Sequence, residues 1–98
     1  MNKGFVLGKV SGIKTGSFQS QGEDVTKLSF FVNAQKIIKG EDKGTTPVEI
    51  ICHGQMAEDW IEKLTEDLRV NVEYRAESRE NGNNRYSDLK AVGIEIIW

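Results

Sequence analysis

Cysteine and proline are almost missing from this chain: each occurs once in 98 residues, as Cys52 and Pro47. A single thiol closes no internal disulfide, so a packed core must hold the fold, and a reducing, cytoplasmic setting is expected. No run approaches the ~18 apolar residues of a membrane span, so no membrane partner is expected. The opening segment MNKGFVLGKV lacks the longer apolar stretch and cleavage site of a secretory leader. One histidine and one cysteine do not make a zinc site. Cys52 and His53 are neighbours on an expected strand, point to opposite faces and form no nucleophile–base pair. No Gly-Lys-Ser/Thr loop is present to cradle a nucleotide phosphate. An enzymatic role, a metal and a cofactor are therefore not expected. Aromatic residues make up only 8% and net charge is −2, which argues weakly against a simple polyanion binder.

The stretch that organises the rest is VEIICHGQMAEDWIEKLTEDL, Val48 to Leu68. It reads as a short buried strand to His53, a break at Gly54, then one amphipathic helix. Met56, Ala57, Trp60, Ile61, Leu64 and Leu68 recur at helical spacing, with Glu58, Asp59, Glu62, Lys63, Glu66 and Asp67 between them. Trp60 is expected in the core.

The remainder alternates like strand. A first strand starts at Phe5–Val10 and runs to Ile13 or Lys14; Gly8 within it marks a bulge or a close backbone approach. Thr15–Asp24 reads as a polar loop that holds Phe18. A second strand, Val25–Lys36, puts Leu28, Phe30 and Val32 on one face and Lys27, Ser29, Phe31 and Asn33 on the other. Ile38–Thr46 reads as a second loop. The third strand points Val48, Ile50 and Cys52 inward and Glu49, Ile51 and His53 outward, with Pro47 at its start. Val70–Ser78 alternates cleanly, Glu80–Asn84 contains an Asn-Gly turn, and Arg85–Trp98 ends the chain with Val92, Ile94, Ile96 and Trp98 in phase. Three strands, a helix and two more strands in a single domain over residues 1–98 describe an all-β OB-fold: a five-stranded antiparallel barrel with one helix between strands three and four.

Charge is unevenly spread. Residues 1–48 balance at +3, residues 49–68 at −5 and residues 69–98 at 0. An acidic helix set away from a basic sheet would make the domain dipolar.

Laid out this way, the chain resembles the bacterial single-stranded DNA-binding protein family, including the primosomal replication protein of the PriB type. The resemblance runs from Asn2-Lys3 through Gly8 and Val10 to Leu28-Ser29-Phe30. Its most specific piece is Ile50-Ile51-Cys52-His53-Gly54-Gln55-Met56-Ala57-Glu58, which looks like the family's apolar strand and helix start. Val70-Asn71-Val72-Glu73 and Gly82 through Arg85-Tyr86 complete it. The tryptophans on which family members stack bases fall by position near Lys36, Pro47 and Arg79, and the aromatic before the glycine falls on His53; none is Trp or Phe here.

The resemblance implies non-specific binding of single-stranded DNA in replication, recombination or repair, in the cytoplasm and on the nucleoid. It also implies a homodimer or homotetramer, with other replication proteins as further partners. Such binding needs a basic track for phosphates and flat side chains for bases. The residues offer Lys9, Lys14, Lys27, Lys36 and Lys39 for the track. Arg75, Arg79 and Arg85 can pair with phosphate or stack, or else pair with Glu73, Glu77 or Glu80. Phe31, Tyr86 and His53 are candidate stacking groups, with Phe18 a weaker one. The alternative is a PriB-like primosomal module that acts mainly through protein–protein contacts, with DNA secondary.

Overall fold

The computed structural model describes residues 3–97, apart from the side chains of Lys36, Ile37, Ile38 and Asn81. Its elements are β1 (Lys3–Ser20), β2 (Glu23–Ile38), β3 (Glu41–His53), α1 (Gln55–Trp60), β4 (Arg69–Asn81) and β5 (Asn84–Ile96). The strands close in the order β1-β2-β3-β5-β4. Ile51 of β3 pairs with Lys90 of β5 in parallel, whereas every other neighbouring pair is antiparallel. The expectation of a purely antiparallel barrel is thereby corrected. A ring of five strands cannot alternate direction all the way round, so one junction must be parallel.

The core follows the alternation. Val6 and Val10 of β1, Leu28, Phe30 and Val32 of β2, Ile50 and Cys52 of β3, and Val70 and Val72 of β4 are buried together with Ala57 and Leu64. Burial pushes the Cys52 thiol up to about 12. The thiol should therefore resist iodoacetamide at about pH 8 in the folded chain and react only when urea opens the barrel. Rapid labelling without denaturant would contradict this packing.

Both expected loops are strand instead. β1 and β2 pair out to Ser20 and Glu23, and β2 and β3 out to Ile38 and Glu41. Each hairpin closes through two residues at positive φ: Gln21-Gly22 (53° and 81°) and Lys39-Gly40 (53° and 79°). Such turns match the strand twist and let polar arms pair without a buried face. Gly8 is a close approach, as its sequence context suggested: a Cβ there would collide with the backbone carbonyl of Asn33 on β2.

The helix is shorter than its apolar stripe. α1 ends at Trp60, and irregular turns carry the chain to Arg69. Asp67, at φ 69°, donates its N–H to the Val10 carbonyl (2.8 Å), and Val10 N–H donates to Leu68 O (2.9 Å). The carboxyl end of the stripe thus clips onto β1 and delivers the chain into β4. Glu62, Glu66 and Asp67 would also sit unfavourably at a helix carboxyl end, where cations are preferred. Met56, Trp60, Ile61 and Leu68 still lie against the core. Trp60 is half-buried rather than enclosed, with Lys63 Nζ 5.2 Å from its ring centroid.

One bulge resets β5. Glu73 pairs with Gly93 and Tyr74 with Ala91, which leaves Val92 unpaired and 44% exposed. Leu89 and Ala91 face the core before the bulge and Ile94 after it. The expected single phase from Val92 onward is broken, and Trp98 lies outside the described residues. Among the described residues, no helix is long and apolar enough to cross a membrane.

Candidate nucleic-acid interface

The outward positions of β2 are Lys27, Ser29, Phe31 and Asn33, and cross-strand pairing brings a neighbour to each. Gly16 and His53 flank Lys27; Lys14 and Ile51 flank Ser29; Ser11 and Glu49 flank Phe31; Lys9 and Pro47 flank Asn33. One of these rows continues round the barrel. It runs Lys14, Ser29, Ile51, Lys90 and Arg75, and returns to β1 at Lys3. Four cations therefore lie on one girdle, joined by Lys27 in the adjacent row.

Acids answer part of this charge. Glu77 takes both Arg75 (2.6 Å) and Lys90 (2.7 Å), and those hydrogen bonds hold its carboxyl below the usual carboxylate range. Lys3 pairs with Glu73. Arg79 pairs with Asp88 (2.9 Å) and Arg85 with Glu80 (3.0 Å). All three candidate arginines are thus engaged by carboxylates. Lys14 and Lys27 have no carboxylate within 4.0 Å among the described residues.

The flat groups fall into three places. Phe31 is half-buried over the Gly12 bulge of β1, where the backbone takes φ 61° and leaves room for its ring. Asn33 stiffens this region by donating to Lys9 O (3.1 Å) and Ser11 Oγ (2.8 Å). Phe18, which the strand extension carries onto the outer face, meets His53 edge-on at 5.1 Å between ring centroids. Tyr86 is 41% exposed and lies under the Arg79 guanidinium at 4.8 Å. His53 is half-buried, and burial first, then Lys90 and Lys27, lower its pKa against the pull of Asp88 and Glu77.

Lys14, Lys27, Phe31 and His53 therefore share one surface. Lys9 stands at its far end, beside a groove of about 640 Å³ that Asp42, Asp67 and Arg69 also line. Lys39 is at the tip of the β2–β3 hairpin, away from the girdle, and the Lys36 side chain lies outside the described residues. Arg79, Arg85 and Tyr86 are on the β4–β5 arm. Lys90 was missed because reading Val92, Ile94 and Ile96 in one phase turns Lys90 inward; the Val92 bulge turns it out. A local sequence pattern does not announce that bulge. Among the described residues, no group of three His, Cys, Asp or Glu side chains is placed to hold a metal.

The architecture is that of a closed five-stranded barrel with an outward cationic face, and solved structures share it. A deletion variant of the single-stranded DNA-binding protein from Thermus aquaticus is similar at TM-score 0.73 and 20% identity over 100% of this chain, which spans only 51% of that one. The mitochondrial single-stranded DNA-binding protein of S. cerevisiae is similar at 0.70 and 14% identity, over 98% of this chain and 95% of that one. The small single-stranded DNA-binding protein from Streptomyces coelicolor gives 0.63 and 19%, over 99% and 95%. No protein-family model matches the chain, and the search of curated proteins gave no match. The chain thus has the fold of these single-stranded DNA-binding proteins.

Proposed function

We propose that this protein is a binding module, not an enzyme, that holds single-stranded DNA without sequence preference during replication, recombination or repair. The observation that carries this reading is the pair of carboxylate-free cations, Lys14 and Lys27, on the same face as Phe18, Phe31 and His53. Phosphates would lie along the cations, and bases would rest on the rings, in a mode that tolerates any sequence because every base has a flat face. With few rings available, charge must supply more of the affinity, which makes it steeply salt-dependent. Titration with polythymidine at low and raised salt tests the reading.

A second copy of the chain is part of this proposal. Phe5 and Leu7 of β1 are 65% and 55% exposed, the most exposed large apolar residues described. They point outward beside Glu73 and Asn71 of β4. Two adjacent large apolar side chains left in water on one strand favour a homodimer through β1, and pairing of two weak sites would raise avidity for a long strand.

The protein-directed, primosome-like reading has one observation in its favour: Arg75, Arg79 and Arg85 are all tied to carboxylates, which lowers the charge open to DNA. Weak or absent polythymidine binding even at low salt would favour it.

A further inference from the structure

His53 is the only histidine in the chain, and it sits where the cation girdle meets the aromatic pair. Lys27 is its direct partner across the β2–β3 ladder. Lys90 of β5 is in register with Ile51, two residues earlier on the same face of β3. From β1, the Phe18 ring stands edge-on to the imidazole, at an interplanar angle of 68°. The charged groups that act on the imidazole are Lys27 on β2, Glu77 on β4, and Asp88 and Lys90 on β5. Neither acid is a free counter-ion. Glu77 is shared by Arg75 and Lys90, and Asp88 is taken by Arg79. Lys27, which has no carboxylate within 4.0 Å among the described residues, and Lys90, paired with Glu77 at 2.7 Å, therefore flank an imidazole that has the Phe18 ring against it and no carboxylate of its own. That is an arrangement for one anion and one flat group.

We propose that Phe18, His53, Lys27 and Lys90 form a single proton-linked nucleotide subsite, in which a base lies against the two rings, its phosphate bridges the two lysines, and His53 takes up a proton as the strand binds. The proposal rests on the reading of this face as a surface for single-stranded DNA. Burial is the first cause of the lowered His53 pKa and the two ammonium groups the next; a phosphate between Lys27 and Lys90 offsets the second part and places an anion close to the imidazole. Both changes favour the imidazolium, which then donates one more charge-assisted hydrogen bond.

The sign follows from linkage. Without DNA, the His53 pKa lies below its ordinary 6.5. If the complex raises it, the bound state holds more protons than the free state, so affinity rises as pH falls through the bound-state value. The gain is complete below the free value. Each unit by which binding raises the pKa contributes about tenfold.

The test uses the intact chain and a thymidine oligonucleotide at fixed salt. Because there is one histidine, one imidazole Cε1–H resonance reports its titration by NMR, with and without DNA. The expected result is a higher His53 pKa in the complex and an affinity that rises about tenfold between about pH 7.5 and about pH 5.5. His53→Gln should flatten that rise, and Phe18→Leu should weaken binding several-fold at every pH. A His53 pKa that is unchanged or lower in the complex would overturn the subsite, and the native chain alone decides this if a variant fails to fold. Binding with the same pH slope in His53→Gln would overturn the subsite and leave the DNA-binding reading standing. No binding at any pH would remove both.

Discussion

Reversing charge at Lys14 and Lys27 together, as Lys14→Glu with Lys27→Glu, is expected to weaken polythymidine capture by about 10²-fold at low salt. The two side chains occupy neighbouring rows of the outer face and have no carboxylate partner among the described residues. Their charge is therefore free to meet phosphate. Losing two phosphate contacts on a single strand should flatten the log–log salt slope by about 1.4, since each contributes about 0.7. Both lysines are exposed, so the thermal midpoint should barely move; surface changes of this kind stay within about 0.5 kcal/mol. Reversal at Lys43 serves as the control, because that side chain is already paired with Glu41 at 2.8 Å on the β2–β3 arm. An equal loss from Lys43→Glu would show that net charge, not this face, governs binding.

The second large effect concerns assembly. Leu7→Lys is expected to convert the proposed homodimer into a monomer, read by light scattering as a fall to the 11.0 kDa of one chain. Burying a side chain such as Leu or Phe contributes about 1.5–3 kcal/mol, and a symmetric contact counts each residue twice. A lysine on each side of a two-fold contact would remove that gain and add like-charge repulsion. Leu7 is 55% exposed within the single barrel, so the substitution should leave the thermal stability of the monomer almost unchanged. DNA affinity for a long strand should fall with the mass, and affinity for a short oligonucleotide should hold, because only the long strand spans two copies. A native chain that already scatters as a monomer at micromolar concentration would contradict this assembly.

The barrel was legible where alternation or helical spacing met a core. Leu28, Phe30 and Val32, the inward trio of β3 and Val70 with Val72 are inside as their spacing implies. The two hairpin arms were not legible as strands. Residues such as Thr15–Ser20 and Glu41–Pro47 are exposed throughout, so no hydrophobic period marks them, and ladder bonds and two-residue turns hold them instead. That is why Phe18 looked like a loop residue when it stands on the outer face beside His53. The helix was over-read for the opposite reason. Its apolar spacing is real as far as Leu68, but contact with Val10 takes the last hydrogen bonds.

Within the candidate site, the outward placement of Lys14 and Lys27 and the pairing of arginines with Glu77 and Glu80 were legible, whereas the displacement of Lys39 to a hairpin tip and the outward turn of Lys90 were not. Lys27 and Phe31 follow from the alternation of β2 alone. Arg75 meets Glu77 two residues along its own strand, whereas the partners of Arg79 and Arg85 are set by the β4–β5 register, which brings Asp88 and Glu80 within reach. Lys90 depends on a bulge one turn of the ladder away. Side chains whose role is set by one strand can be read locally; those set by the meeting of two strands cannot.

The most direct measurement is equilibrium titration of the intact chain with polythymidine, followed at several salt concentrations. The expected result is saturable binding at low salt and a steep, linear fall of log affinity with log salt, corresponding to several released counterions. Absence of saturation at low salt, or an affinity indifferent to salt, would contradict the claim that this outer sheet face is a phosphate-binding surface.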